Sequence, residues 1–494
     1  VWPELVRPLK TDLPGRDEAI MRRTVFLSGI LLLAGAVCSL AQTLTPLKNQ
    51  PPDGALIGLQ LTDGTVLVQG NQQSDWWKLT PDKNGSYVNG TWKQVASLPS
   101  GYVPLYFASA VLADGRAIIE GGEYLNGQFA FTDKGAVYDP LADTWKMQTP
   151  PKGWGFIGDS PSVVLPDGRF LLGRKFDKRM AVLDPKTLKW TEVGSSGKSD
   201  FNAEEGWTLL PDGTVLTVDV KNNPNSELYT PSAQAWKTQG HTPVNLQGPP
   251  QVGCIPYGHN KEYCPPGEIG PAILRPDGSV YATGALHLGA SAGHTAIYKS
   301  GKWTAGPDFE AGDAAGDSFA ALLTNGNVLV EGNSGTLYEF DGKNLTPELS
   351  AGFGYISLMD LPTGEVLVGG SEVYTTKGTY KAAWAPKITK FPSSVTRGSS
   401  YQIFGKQFNG LSQAAAFGDE LQSSTNYPLV RITNGATGHV FYARTHDHST
   451  MGVATGNKTV STNFDVPAKM ETGASKLEVV ANGIPSKAVS VTVN

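Results

Sequence analysis

Seven times along this chain a turn ending in glycine stands between two apolar runs, and nothing else in the sequence restricts the fold as strongly. The copies read "LTDGTVLVQG", "LADGRAIIEGG", "LPDGRFLLG", "LPDGTVLTV", "RPDGSVYATG", "LTNGNVLVEG" and "LPTGEVLVGG", with glycines at 64, 115, 168, 213, 278, 326 and 364. Asp-Gly or Asn-Gly between apolar runs is a hairpin signal, because glycine accepts the positive φ a tight turn requires. A third strand follows each hairpin, as in "AVYDP", "AVLDP" and "ELYTP", and a fourth usually carries a tryptophan: Trp92, Trp145, Trp190, Trp236 and Trp303. Four antiparallel strands repeating every ~40 to 50 residues are the signature of a propeller blade, since one such sheet cannot bury both its faces alone. The tryptophans then belong to packing between blades. The sixth repeat lacks its tryptophan and the seventh, at about 354 to 384, is irregular. An N-terminal strand is expected to help close the ring.

At Pro386 the pattern changes to short alternating strands such as "SYQIFG", "KLEVVANG" and "AVSVTVN", which read as a separate β-sandwich. The expected fold is all-β: a leader at 1–41, a seven-bladed propeller at 42–384, and an immunoglobulin-like sandwich at 385–494. Within 494 residues, 58 glycines and 34 prolines leave little room for long helices. The formal charge of -5 is spread without a block of either sign, which argues against nucleic acid and anionic membranes as partners.

Met21, Arg22 and Arg23 precede the apolar run "TVFLSGILLLAGAV", and Ser39 and Ala41 are the small residues before a cut. This predicts a signal peptide starting at Met21 and cleaved after Ala41, hence a secreted or periplasmic protein with no membrane attachment afterwards. A run of about 14 apolar residues is short for a spanning helix, which needs ~20. Val before Cys38 disfavours lipidation. Cys254 and Cys264, in the turn-rich "GCIPYGHNKEYCPPG", are expected to form a disulfide; a metal knot with His259 is the alternative.

Two groups of residues could carry chemistry. In "THDHST", His446 and His448 share one face of an extended strand while Asp447 points away, so both imidazoles could reach one metal. The polar turns "FIGDSP", "FNAEEGW" and "AAGDSF" enter inner strands and place Asp159, Glu204, Glu205 and Asp317 near one mouth of the channel. A carboxylate ring there could bind a polyol or a cation, or supply an acid and a base. No phosphate loop, nucleophile elbow or zinc-protease helix is present.

The stretch "LYFASAVLADGRAIIEGGEYLNG", continuing to "AVYDPLADTW", resembles a kelch-type blade of the galactose oxidase and glyoxal oxidase family. The C-terminal part, from "APKITK" to "KAVSVTVN", resembles the early-set sandwich that follows the propeller in those enzymes. The resemblance implies a copper ion on the propeller axis held by two tyrosines and two histidines, with a cysteine bonded to one tyrosine. Tyr106, nine residues before Gly115, matches the cross-linked tyrosine, and Tyr124 falls near the ring stacked over it. His446 is the better match for the histidine from the sandwich, with His448 its neighbour. Where the family has its cysteine this chain has Ala55 or a neighbour; where it has a Tyr-His pair stand Gly354 and Tyr355. A metal set of Tyr106, His446 and His448, with Tyr355 as a further phenolate, is what the resemblance allows. Copper would be its cofactor, and none is expected otherwise. The expected function is binding of an extracellular carbohydrate or protein ligand by a monomeric, degenerate relative of galactose oxidase. The alternatives are a copper-dependent alcohol or aldehyde oxidase with an altered site, and a carboxylate-based hydrolase or lyase.

Overall fold

All seven glycine turns form, each glycine taking a positive φ, from 77° at Gly64 to 88° at Gly326 and Gly364. The residue before the glycine explains why six of them read Asp or Asn. Its side chain accepts the backbone N–H two residues on, as Asp63 does from Thr65 at 3.0 Å and Asn325 from Asn327 at 2.8 Å. This local bond fixes the turn and hence the hairpin register. The computed structural model describes residues 42–494 except 251–253, 257–261, 265–266, 353–356 and 418–421. The expected leader therefore lies outside the described residues.

Among the described residues the hairpins grow into seven antiparallel sheets, six of four strands and one of five, and no helix forms. The second sheet is typical, with Ala108–Val111 innermost, then Ala117–Glu120, Gly135–Asp139 and Thr144–Gln148 outermost. Its two inner strands are buried throughout, whereas the outermost alternates between solvent and core. That gradient explains the continuous apolar runs after each turn. Innermost strands of successive sheets lie side by side, and Leu358–Asp360 of the seventh contacts Gly58–Gln60 of the first, so the sheets close into a ring. The seventh sheet takes its outermost strand from the start of the described chain: Thr43–Pro46 pairs with Glu372–Thr375. The tryptophans pack sheet against sheet. Trp145 lies 5.0 Å from Trp76 of the preceding sheet, and Trp303 donates to Ser226 of the preceding sheet at 2.8 Å.

The C-terminal strands make two layers that share one strand. Val440–His446 pairs through Val440 to Ala443 with Leu429–Asn434, and through Arg444 to His446 with Val460–Asp465. Ile403, Val430, Ile432, Phe464, Leu477 and Val479 fill the space between the layers. A segment of this region leaves the sandwich and enters the ring. Ala415–Ala416 pairs with the innermost strand Ala320–Leu322 as a fifth strand of the sixth sheet. Gln413 accepts the Leu209 N–H at 2.7 Å, Ser109 and Gln422 exchange hydrogen bonds of 3.0 and 3.1 Å, and Ser423 donates to Gly58 at 2.8 Å. Four of the seven innermost strands are thus bonded to described residues of one inserted segment.

Candidate functional site

The innermost strands run from an entry end, where long loops lead in, to the glycine turns at the other end. The sandwich occupies the turn end. Thr445 N–H donates to Thr62 at 3.1 Å, His448 N–H to Ala113 at 3.2 Å, and Met451 N–H to Pro166 at 3.0 Å, all three acceptors lying in glycine turns. Tyr106 precedes its strand at the entry end, separated from Ala113 by roughly 15–20 Å of extended chain.

The structure therefore does not bring His446 or His448 to Tyr106. The two imidazoles are also occupied differently. His446 is held at both nitrogens, 2.7 Å from Asp447 and 3.2 Å from Asp465. His448 is buried, 2.9 Å from the Thr462 hydroxyl and parallel to the Tyr427 ring at 6.1 Å; burial pushes its pKa down to about 3, so it is neutral. Tyr355 lies outside the described residues, and Cys254 and Cys264 are joined as a disulfide. Among the described residues the donors at the entry end near Tyr106 are carboxylates and an ammonium rather than imidazoles and a thiol. Among the described residues, those at the entry end do not fit the copper centre implied by the resemblance.

The entry end does gather the expected carboxylates, around a lysine that sequence reasoning missed. Lys175 is 2% exposed and contacts Asp159 and, at 2.6 Å, Glu204. Half-buried Glu123, Glu268 and Asp317 complete the group. Burial raises the pKa of Glu268 well above the usual carboxylate range, Glu204 adds to the rise and Lys175 opposes it. Burial does the same to Asp317, reinforced by Glu268, to which it is hydrogen-bonded. Glu123 is likewise raised by burial, against the pull of Lys175. Burial and crowding of like charge thus let Glu123, Glu268 and Asp317 hold protons to higher pH than isolated carboxylates would.

Aromatic rings line one side. Tyr106 meets Tyr124 edge-on at 6.0 Å, Tyr124 meets Phe129 at 5.7 Å, and Phe129 meets Phe131 at 4.9 Å. The Lys175 ammonium lies 5.6 Å from the Phe131 ring centre, joining the two halves of the site. Tyr106 and Phe129 are 39% and 43% exposed, unusual for large apolar side chains beside so buried a charge. Tyr106, Glu204 and Asp317 have φ of 55°, 57° and 52°. Left-handed backbone costs a non-glycine residue about 1–3 kcal/mol, and here it recurs at entry-loop residues of three different sheets.

Glu205 separates from the other predicted residues. It turns away from the mouth to Lys198, whose ammonium is 2.7 Å from Glu205 and 2.8 Å from both Asp200 and Glu227, all buried. Asp200, Glu205 and Asp219 approach within 4.8 Å, close enough to hold a cation, and the ammonium of Lys198 already stands among them. Burial favours the neutral amine, yet the carboxylates, Glu205 foremost, keep Lys198 charged.

Glu268 could have been found from the repeat alone. It stands four residues ahead of its inner strand, as Glu204 does, while Asp159 and Asp317 stand three ahead. Lys175 and Glu123 occupy a second recurring position, two or three residues past the end of the second strand, where the sequence offers only isolated charges.

No family model matches this chain. It is 26% identical over 212 residues to a kelch-like protein, terF, of Aspergillus terreus; the match covers 37% of this chain and 42% of that protein. The chain resembles kelch propellers of the galactose oxidase kind. Among solved structures it is similar, with a TM-score of 0.47 and 13% identity, to a copper-bound fungal alcohol oxidase of the AA5 family, over 92% of this chain and 98% of that one. It is also similar to a streptogramin B lyase, with a TM-score of 0.47 and 11% identity over 69% of this chain and 99% of that one. Among the described residues no helix is long and apolar enough to cross a membrane.

Proposed function

We propose that this is an exported, monomeric seven-bladed kelch propeller with an early-set sandwich, and that it binds an extracellular carbohydrate at the entry mouth of its channel. One observation carries the reading. Exposed Tyr106 and Phe129 stand beside a buried Lys175–Asp159–Glu204 network, giving flat apolar rings to cover a sugar face and fixed polar groups to orient its hydroxyls. Calorimetric titration with glycan oligomers tests this reading: binding is expected in the wild type and lost in Tyr106→Ala with unchanged melting. Binding that survives in Tyr106→Ala would place the ligand elsewhere.

The hydrogen bond between Glu268 and Asp317 favours a second reading. Two carboxyls that hold a proton between them at the mouth are equipped to act as acid and base on a bound glycan, as a hydrolase or lyase requires. New chain ends released from the bound glycan by wild type and not by Asp317→Asn would establish it. Binding without release would leave a binding protein.

A further inference from the structure

We infer that the glycan is taken as a chain, with Tyr106 and Phe129 holding different sugar units, and that Phe129 sets how long a chain binds well. Resting on the carbohydrate reading, this follows from how the second sheet presents its rings. The loops at its entry end build a small sheet of their own. Gln128–Phe129 pairs with Tyr124–Leu125, which pairs in turn with Pro104–Leu105. Phe129 stands directly opposite Tyr124, and on the other side Tyr124 stands opposite Leu105, the residue before Tyr106.

Local bonds and packing hold this added sheet in place. Asn126 and Gly127, with φ of 53° and 73°, make the two-residue turn that matches the twist of paired strands. The Glu123 N–H donates to the carbonyls of Leu105 and Tyr106 at 3.1 and 3.0 Å, and the Ala130 N–H donates to Glu123 at 3.0 Å. Behind Phe129, Phe131 meets Phe176 edge-on at 4.6 Å; Phe176 is 2% exposed and lies 5.2 Å from Phe156, over whose face the Arg174 guanidinium sits at 4.1 Å. Phe129 is thus fixed from behind and open in front. An apolar ring held in water gains free energy from whatever covers it.

Orientation decides what can cover the rings. Tyr124 stands between Tyr106 and Phe129, inclined at 70° to the first and 81° to the second. The strip is therefore a set of separate faces and not one plate. A single sugar ring covers one exposed face and leaves the other in water. A chain covers both, and its middle passes Tyr124, around whose phenol stand Glu123, Asp159 and Lys175. The fixed polar groups then address the unit between the two rings.

The test is calorimetric titration of the full mature chain with glucan, chitin, xylan and mannan oligomers, each from monomer to hexamer. In whichever series binds, affinity is expected to rise at least tenfold from monomer to tetramer, more than the few-fold gain that alternative registers of a longer chain supply. In Phe129→Ala that gain should fall at least fivefold with monomer affinity and melting unchanged, and Phe129→Tyr, which keeps a ring, should retain it. Leu141→Ala, which removes an exposed apolar side chain at the outer edge of the same sheet, should leave it as it is. Affinity that is flat with length would overturn the inference and leave the carbohydrate reading standing. A length gain untouched in Phe129→Ala, or an equal loss at every length, would overturn it as well. If no oligomer of any series binds, both readings fall.

Discussion

Two lysines of this protein are buried among carboxylates in adjoining parts of the ring, and their surroundings differ in one respect. Around Lys198 the account is closed: three carboxylates contact the ammonium, Asp200 also accepts two backbone N–H groups at 3.1 Å, and Glu205 accepts the Thr217 hydroxyl. Around Lys175 two carboxylates are in contact and the others stand half open to water beside exposed rings. A sealed ionic cluster must satisfy itself and so serves the fold. An open one, standing beside exposed rings, is placed where a ligand can reach it.

The widest gap between the two should appear on removing the ammonium. Lys198→Met leaves several buried carboxylates without a counter-charge and is expected to cost about 3–5 kcal/mol, read by urea denaturation. A loss below ~1 kcal/mol would show the cluster to be dispensable and the comparison empty. Next comes a pH effect at Asp219 in the sealed cluster. Burial pushes the Asp219 pKa up to about 6, against roughly 3.9 in an unfolded chain. A folded-state carboxyl pKa above the unfolded value means the folded state holds the extra proton. Its contribution is full below pH ~4 and is lost as pH rises through about 6. Urea midpoints from pH 4 to 7 should fall more in wild type than in Asp219→Asn, by on the order of 2 kcal/mol. Parallel profiles would contradict the assignment.

Lys175→Met should cost less than Lys198→Met, about 1–2 kcal/mol, because two rather than three contacting carboxylates lose the ammonium and the carboxyls around them are partly exposed, and ligand binding should vanish. If the two lysine variants lose equal stability, the open and closed description is wrong. The smallest effect belongs to Tyr106→Gly. Glycine accepts φ of 55° freely, which offsets the lost ring contacts, so stability should move by less than about 0.5 kcal/mol while binding is abolished. Loss of several kcal/mol would make Tyr106 a structural residue.

The ring was legible because its determinants are local. Each Asp-Gly or Asn-Gly turn makes its own side-chain bond and each tryptophan follows at a regular distance, so seven hairpins can be read one at a time. Three of the mouth carboxylates, Asp159, Glu204 and Asp317, were legible for the same reason, since each repeats a position ahead of an inner strand. Glu205 was not, because adjacent residues on a left-handed kink point in opposite directions, and φ of 57° at Glu204 is invisible in a string of letters. Lys175 meets Asp159 across the inner hairpin of its own sheet and Glu204 from the next sheet, contacts that isolated charges in the sequence do not announce. His446 and His448 were misleading for the converse reason. Their spacing permits a shared face, but the docking of the sandwich on the turn end, a long-range event, carries them away from Tyr106.

The inserted segment around Ala415–Ala416 also bears on the order in which the molecule can be made. The ring needs Thr43–Pro46 to complete its last sheet, and its hub needs residues that leave the ribosome after every blade has been synthesised. Individual hairpins can form as they emerge, but the central layer of hydrogen bonds cannot. Until the C-terminal region arrives, Ser109, Leu209 and Ala320–Leu322 present unpaired polar groups to an empty bore. Completion is therefore a late, whole-chain event, in which the last-made residues lock the first-made strands.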